Sequence, residues 1–284
     1  MRARRRSSLA CRARQYAVSR IPPLAAAMSC SRRTEASMIH ICSNKNRHLY
    51  REQLKTMHLQ RCELFVKVKG WNLKVIDGGE YDDGDDDRAV YLLSLDETGY
   101  CYGSIRVRPA DDFSMLIDNM PHHVEGDAAA LRQDPGLWEM ARWINIGGDP
   151  AAGQEIRIGL IEYLLEQGAH QCLALPDVSV LSYAIRTGWR LRPLGAPKPY
   201  PEGGVAVAVS LPIDRAEASY LRDLTGRRDV FMMEIDPAAP WAHLSLTVIE
   251  AAFAEAAQQA SDRHELTAAA DALLRHRLEL GQVA

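Results

Sequence analysis

A dense run of carboxylates, GGEYDDGDDDRAVY over residues 78–91, is the first feature of this sequence that could do chemistry. The acids are Glu80, Asp82, Asp83, Asp85, Asp86 and Asp87. Such a run can be a solvated loop, a divalent-metal site, or a set of carboxylates that holds arginines and a cationic substrate in one pocket. An EF-hand needs a Glu six residues after its glycine, but six residues after Gly84 this chain has Val90, so the run does not have EF-hand spacing. We therefore expect no metal.

Arginines, aromatic residues and a further acid lie on either side of this run. They are Arg61, Phe65, Trp71, Arg106, Glu139 and Arg142. Aromatic faces attract a cation, and a guanidinium binds a carboxylate through two hydrogen bonds. The same residues also have purely structural interpretations. Phe65 and Trp71 could be core aromatics, Asp85 and Arg106 could form a structural ion pair, and Glu139 and Arg142 could form a buried pair. Asp83, Asp86 and Asp87 are expected to be solvated.

The elements that must position these residues alternate between helix and strand. Apolar spacing predicts a helix over 48–66, followed by a hairpin of AVYLLSLD and GYCYGSIRVRP with Gly99 in its turn. A strand at LWEMARWINI, a helix stopped by Gly168, and a final strand, helix and strand follow. This order predicts one α/β (α+β) domain over 39–213. Two Ala- and Leu-rich helices in 214–284 should pack on the core or form a dimer surface.

Charge is divided unevenly along the chain. Residues 1–38 hold nine arginines and one acid, and with a net charge of −3 for the whole chain the remainder is left at about −11. This acidic body argues against a nucleic-acid partner, and no apolar run approaches the ~18 residues of a membrane span. Six scattered cysteines indicate a cytoplasmic protein. We expect 1–38 to be a disordered basic extension, with translation starting at Met28 or Met38.

The ordered set of matches resembles the autoinducer synthase family, the acyl-homoserine-lactone synthases. The resemblance covers about residues 45–212. Its signals are the Arg-to-Phe-to-Trp spacing, E-x-D-x-x-D, G-x-x-R-x-x-P, Met115–Leu116, WE-x-small-R and RTGWRLRPLG. It implies a fold similar to the GCN5-related N-acetyltransferases, in which a twisted, splayed sheet is flanked by helices. The helical stretch 214–284 is then a C-terminal extension of the catalytic domain 39–213.

The resemblance also implies a quorum-sensing reaction. S-adenosyl-L-methionine, as a substrate and not a cofactor, and an acyl group from acyl carrier protein or coenzyme A would give an acyl-homoserine lactone and 5′-methylthioadenosine. Glu80 and Glu139 become candidate catalytic bases. The expected substrate-binding residues are Arg61, Phe65, Trp71, Asp82, Asp85, Arg106 and Arg142. No cofactor, metal or membrane partner is expected.

Two other functions fit the same residues. One is an N-acyltransferase on this scaffold that uses a different amine, and the other is a non-catalytic regulator that binds an acyl or adenosyl ligand. If acyl carrier protein is the donor, its acidic surface should meet basic residues around the last helix of the domain. These are Arg186, Arg190, Arg192 and Lys198.

Overall fold

The computed structural model describes residues 38–146 and 150–282. The predicted disordered extension over 1–38 therefore lies outside the described residues, except for Met38. Met38 is fully buried, and its backbone N–H donates to Glu250 Oε1 at 3.1 Å, so its assignment to the extension is wrong. Within the two described ranges, no helix is long and apolar enough to cross a membrane.

A mixed sheet of eight strands forms the centre of the described fold, and two short two-stranded ladders flank it. The strands are β1 (Ile39–Cys42), β2 (Lys74–Ile76), β3 (Gly79–Tyr81), β4 (Val90–Leu95), β5 (Cys101–Pro109), β6 (Leu137–Asn145), β7 (Gln171–Ala174), β8 (Arg192–Pro193), β9 (Lys198–Pro199), β10 (Val205–Ala206), β11 (Val209–Pro212) and β12 (Met232–Met233). The main sheet runs in the order β12-β1-β4-β5-β6-β7-β11-β8. Only β12–β1 and β6–β7 pair in parallel within it.

Helices cover both faces of this sheet. They are α1 (Arg51–Arg61), α2 (Pro150–Glu166), α3 (Val178–Arg186), α4 (Arg215–Thr225), α5 (Leu246–Ala256) and α6 (Arg263–Glu279). Because side chains alternate along a strand, β5 turns Ile105 and Val107 into the core with Ile156 of α2, and turns Arg106 and Arg108 to the opposite face. The two arginines are thus placed beside α1 and the acidic loop.

The predicted first helix and hairpin of the domain are confirmed. A helix begins near residue 48, continues from α1 into a π-helical turn at Cys62–Val68, and ends before Gly70 at φ 72°. The β4–β5 hairpin has Gly99 in its turn at φ 77°. The predicted last strand is two short ones, β10 and β11. Helix α4 and six short strands were not predicted: β1, β2, β3, β8, β9 and β12.

The sheet splits open beside β6. Ladder pairing between β6 and β7 runs only from Leu137↔Gln171 to Glu139↔Leu173, whereas β6 continues to Asn145 on the β5 side. The predicted twisted, splayed sheet is therefore confirmed. Glu139 lies at the residue pair where the two strands part.

The stretch beyond residue 213 packs on the core. β12 joins the main sheet through Ile39↔Met232 and His40↔Met233, while Trp241 and Phe253 are buried in the same apolar cluster as β4 and α2. The predicted helical character of this region is confirmed. Of the two alternatives, packing on the core and a dimer surface, the structure shows packing on the core. The division of the folded chain at residue 213 stays a prediction.

Candidate active site

The acidic loop is held at one end by a tight hairpin. β2 and β3 are joined by Asp77 at φ 49° and Gly78 at φ 82°, two successive positive values that match the Asp-Gly preference of a type I′ turn. The hairpin carries Glu80 on β3 with its side chain fully buried. The Asp-Gly dipeptide in VIDGGEY was the sequence signal for this turn.

Arg61, the last residue of α1, forms the centre of a buried ion-pair cluster. Its Nε donates to Glu80 Oε2 at 2.6 Å, and its two Nη atoms donate to the two Oδ atoms of Asp85 at 2.7 Å each. Arg61 is fully buried, and in a dry site such a charge is tolerated only when its donors are paired. The helix end and the acidic loop are thereby locked together.

Two more arginines reach the same carboxylates from the sheet. Arg106 of β5 donates to Asp85 Oδ1 at 2.8 Å and also to both oxygens of Asp82. Arg142 of β6 lies 2.9 Å from Glu80 Oε1 and 2.6 Å from Asp82 Oδ2 through Nη2. Three arginines and three carboxylates therefore form one cluster, the arginine–carboxylate cluster.

Arg142 reaches the cluster because the strand is distorted under it. The β5–β6 register shifts between Ser104 and Arg106, where a β-bulge gives β6 one extra residue. Arg142 has φ 57°, a left-handed conformation that is uncommon for a residue other than glycine. Its side chain turns toward Glu80, so the alternative of a buried Glu139–Arg142 pair is wrong.

An aromatic stack borders the cluster. Phe65 and Trp71 have ring centroids 5.1 Å apart at an interplanar angle of 13°, and the Arg142 guanidinium carbon lies 5.4 Å from the Phe65 centroid. Trp71 is half-buried and meets the Tyr200 ring edge-on at 5.9 Å. This stack and the carboxylates together offer the aromatic faces and negative charge that a sulfonium ion favours.

The electrostatics of the cluster keep its acids ionised. Burial would raise the pKa of Asp82, but Arg106 and Arg142 outweigh it and hold the pKa below its usual range. Burial likewise opposes ionisation of Asp85, yet the Arg61 hydrogen bonds and the Arg106 charge lower its pKa well below the usual range. Both aspartates are therefore anionic at neutral pH.

Glu139 lies apart from the arginine–carboxylate cluster. Its carboxylate accepts the backbone N–H groups of Met115 and Leu116 at 2.8 Å each, at the first turn of the π-helical segment Met115–Asn119. Burial raises the pKa of Glu139 above its usual value, and these N–H groups only partly offset that effect. A buried carboxylate with a raised pKa suits proton transfer near neutral pH.

Sequence reasoning missed three contributors. Tyr91 of β4 donates its hydroxyl to Asp85 Oδ1 at 2.9 Å. Asp86, predicted to be solvated, keeps 37% of its side chain exposed and also accepts Arg108 Nη2 at 2.6 Å, whereas Asp83 and Asp87 are exposed as predicted. The R-x-R spacing on one strand was the available signal for Arg108, because alternate strand residues share a face.

An open groove on the outer side of α1 is separate from these residues. It has a volume of about 490 Å³ and is lined by Asn44, Arg47, His48, Arg51, Leu54, Lys55, His58 and Tyr81. None of the predicted site residues lines it. Within the residues that the structure describes, no three or more His, Cys, Asp or Glu side chains are arranged so that they could hold a metal ion.

The chain is similar to autoinducer synthases in sequence. The Autoinducer synthase family model matches residues 45–221. The chain belongs to the autoinducer synthase family. An isovaleryl-homoserine lactone synthase from Bradyrhizobium diazoefficiens is 31% identical over 203 residues, covering 69% of this chain and 90% of that protein. An acyl-homoserine-lactone synthase from Agrobacterium fabrum is 28% identical over 59% of this chain and 82% of its own length.

Solved autoinducer synthases share the fold. The CoA-dependent acyl-homoserine lactone synthase BjaI, solved with SAM and isopentyl-CoA, is 29% identical with a TM-score of 0.63, covering 76% of this chain and 99% of that one. TofI, solved with an inhibitor and MTA, is 26% identical with a TM-score of 0.51, covering 58% and 87%. The predicted family is confirmed, and the protein is an acyltransferase of that family.

Proposed function

We propose that this synthase joins an acyl group from acyl-coenzyme A to the amine of S-adenosyl-L-methionine and closes the lactone, releasing 5′-methylthioadenosine. The observation that carries the proposal is the juxtaposition of the arginine–carboxylate cluster with the Phe65–Trp71 stack, on the sheet face where β6 and β7 part. S-adenosylmethionine presents a sulfonium, an ammonium and a carboxylate within a few bonds. The cluster and the stack offer a partner of suitable chemistry to each.

Exposure divides the binding roles within the cluster. Asp82 keeps 21% of its side chain exposed, against 6% for Asp85 and none for Glu80. We assign Asp82 to the substrate ammonium, because it alone of the three retains substantial access. Asp85 and Arg61 then act by holding the site rigid, and Arg106 and Arg142 supply the positive charge that faces the substrate carboxylate.

Glu139 is the better of the two candidate bases. Both oxygens of Glu80 accept from arginine side chains, so taking a proton would cost it charge-assisted hydrogen bonds. Each oxygen of Glu139 accepts one backbone N–H and the Ser114 hydroxyl occupies a third acceptor position, which leaves a lone pair for a water or an amine. We assign Glu139 as general base, directly or through one water, and Glu80 as a positioning residue.

The chemistry then takes two steps. The deprotonated amine attacks the thioester carbonyl, an amide bond forms, and the C–S bond breaks to release the coenzyme A thiol. The substrate carboxylate next attacks its own γ-carbon, an ester C–O bond forms, and the sulfonium C–S bond breaks to release neutral methylthioadenosine. Backbone N–H groups along the part of β6 that β7 leaves unpaired are the proposed donors to the first oxyanion.

The choice of coenzyme A rests on two observations. BjaI, which the chain covers almost entirely, is described as CoA-dependent. Two of the four cations proposed to meet a carrier protein already have internal partners: Arg190 pairs with Asp214 and Glu217, and Lys198 Nζ donates to the His122 carbonyl. Of the four, Arg186 and Arg192 are exposed with no ion pair to any residue that the structure describes, which is a small surface for a strongly acidic carrier.

A product assay tests this proposal. The protein is incubated with S-adenosylmethionine and a panel of straight and branched acyl-coenzyme A and acyl-carrier-protein thioesters, and products are identified by mass spectrometry. Equal amounts of methylthioadenosine and an acyl-homoserine lactone, formed faster from coenzyme A thioesters, are expected. Turnover from carrier protein alone would reject the donor assignment. Acyl transfer without methylthioadenosine would instead indicate a different amine acceptor.

A further inference from the structure

Arg108 is a buried arginine of β5 outside the arginine–carboxylate cluster. It is 4% exposed, and its guanidinium contacts two separate segments. Nε and Nη2 donate to the Asp86 carboxylate at 3.1 and 2.6 Å. Nη1 donates to Asp112 Oδ1 and to the Phe113 carbonyl at 2.7 Å each, and to the Pro109 carbonyl at 2.8 Å. One side chain thus bridges two loops that no ladder connects.

On one side, Arg108 is fastened to the acidic loop. Asp86 directly follows Asp85, which holds Arg61 and Arg106. Asp86 also closes its own turn, because Oδ1 accepts the backbone N–H groups at residues 88 and 89 at 2.9 and 3.1 Å. The position of Asp86 is therefore tied to the arginine–carboxylate cluster.

On the other side, Arg108 holds the segment that leads to Glu139. The Phe113 carbonyl accepts from its guanidinium, and the Phe113 ring lies 5.3 Å from the guanidinium carbon. Two and three residues later, Met115 and Leu116 donate their N–H groups to Glu139. The segment 110–116 carries no strand pairing of its own, so a fixed Phe113 limits how far these donors can move.

We propose that Arg108 is a positioning residue for acyl transfer: it fixes the segment 110–116 against the acidic loop, and so keeps the Met115 and Leu116 N–H groups on Glu139. The inference rests on the proposed role of Glu139 as base. It links the part of the site assigned to S-adenosylmethionine with the part assigned to proton transfer.

A loosened segment should change how Glu139 titrates. Besides the two N–H groups, Glu139 is faced by the Arg106 charge from β5, the Ser114 hydroxyl and the Cys172 thiol of β7, whose pKa burial raises. Losing one N–H bond to a carboxylate is expected to shift the acid limb of the rate profile upward by about one pH unit. A substitution that only lowered stability would leave that limb in place.

The test compares four variants by their pH profiles of kcat/KM, using the thioester that turns over in the product assay. Arg108→Met removes the bridge. Arg108→Lys retains the charge but lacks the planar fork that serves both loops. Arg228→Met is the control for removing a surface arginine, because Arg228 pairs with the exposed Asp223 and neither residue belongs to the acidic loop or to the segment 110–116. Glu139→Gln tests the base itself.

The expected result is an acid limb about one unit higher in both Arg108 variants, an unmoved limb in Arg228→Met, and S-adenosylmethionine affinity within about threefold of wild type. If Arg108→Met does not fold, Arg108→Lys decides. A wild-type limb in Arg108→Lys, even with a lower Tm, overturns the positioning role. A wild-type limb in Glu139→Gln instead removes Glu139 as base, so the two failures are distinguishable.

Discussion

Asp85→Asn gives the sharpest test of the arginine–carboxylate cluster. Asp85 accepts two hydrogen bonds from Arg61, one from Arg106, one from the Tyr91 hydroxyl and one from the Asp82 backbone N–H. Its side chain is only 6% exposed. The amide removes the negative charge and turns one acceptor into a donor, which then faces the donors of a buried guanidinium. One positive charge of the cluster is left without compensation.

Breaking a buried, hydrogen-bonded ion pair from one side costs about 3–5 kcal/mol of unfolding free energy. For a chain of this size that loss corresponds to a Tm lower by about 6–20 °C. Because Arg61 and Arg106 would also shift, we expect S-adenosylmethionine to bind at least about tenfold more weakly, a difference of about 1.4 kcal/mol. Urea denaturation at pH 7 and isothermal titration calorimetry measure the two effects.

Asp83→Asn is the matched control, since it changes the same chemistry at an exposed position of the same loop. Its unfolding free energy should lie within about 0.5 kcal/mol of wild type. If Asp85→Asn behaved like Asp83→Asn in both stability and affinity, Asp85 would not hold the cluster together, and the reasoning from its contacts would be refuted.

Three further outcomes follow from the described contacts. Gly84→Ala should weaken S-adenosylmethionine binding about tenfold in calorimetry, because a Cβ there would lie 2.6 Å from Arg106 Nη2; unchanged affinity would show that the guanidinium can move away freely. Asp85 has a lowered pKa in the folded state, so it contributes its full stabilisation above the unfolded pKa of about 3.9 and loses that stabilisation as the pH falls below this value. The unfolding free energy should therefore drop more steeply below pH 4 in wild type than in Asp85→Asn. Parallel acid titrations of the two proteins would contradict this. Phe253→Ala should cost about 3–5 kcal/mol in one cooperative thermal transition, with exposed Leu280→Ala as control, whereas two separate transitions would mean that the C-terminal region unfolds alone.

Local pattern determined most of the elements. The helix over 48–66 and the β4–β5 hairpin follow from apolar spacing and from Gly99, signals confined to a few neighbouring residues. The residue types of the site could also be predicted from the sequence, because arginines and a carboxylate-rich loop attract each other and are expected to pair. The short strands β1 and β12 could not be predicted, since a two- to four-residue strand has too few positions to show a period.

Tertiary structure alone decided which charges meet. Arg142 lies three residues from Glu139 in sequence, yet it pairs with Glu80, 62 residues away. The β-bulge and the left-handed backbone conformation of Arg142 direct its side chain toward Glu80. Glu139 is left to the N–H groups of Met115 and Leu116, whose position depends on the Arg108 bridge. The sequence by itself determined the chemical groups of the site, whereas strand register and backbone conformation assigned their partners, because hydrogen bonds across a sheet depend on pairings that no local pattern encodes.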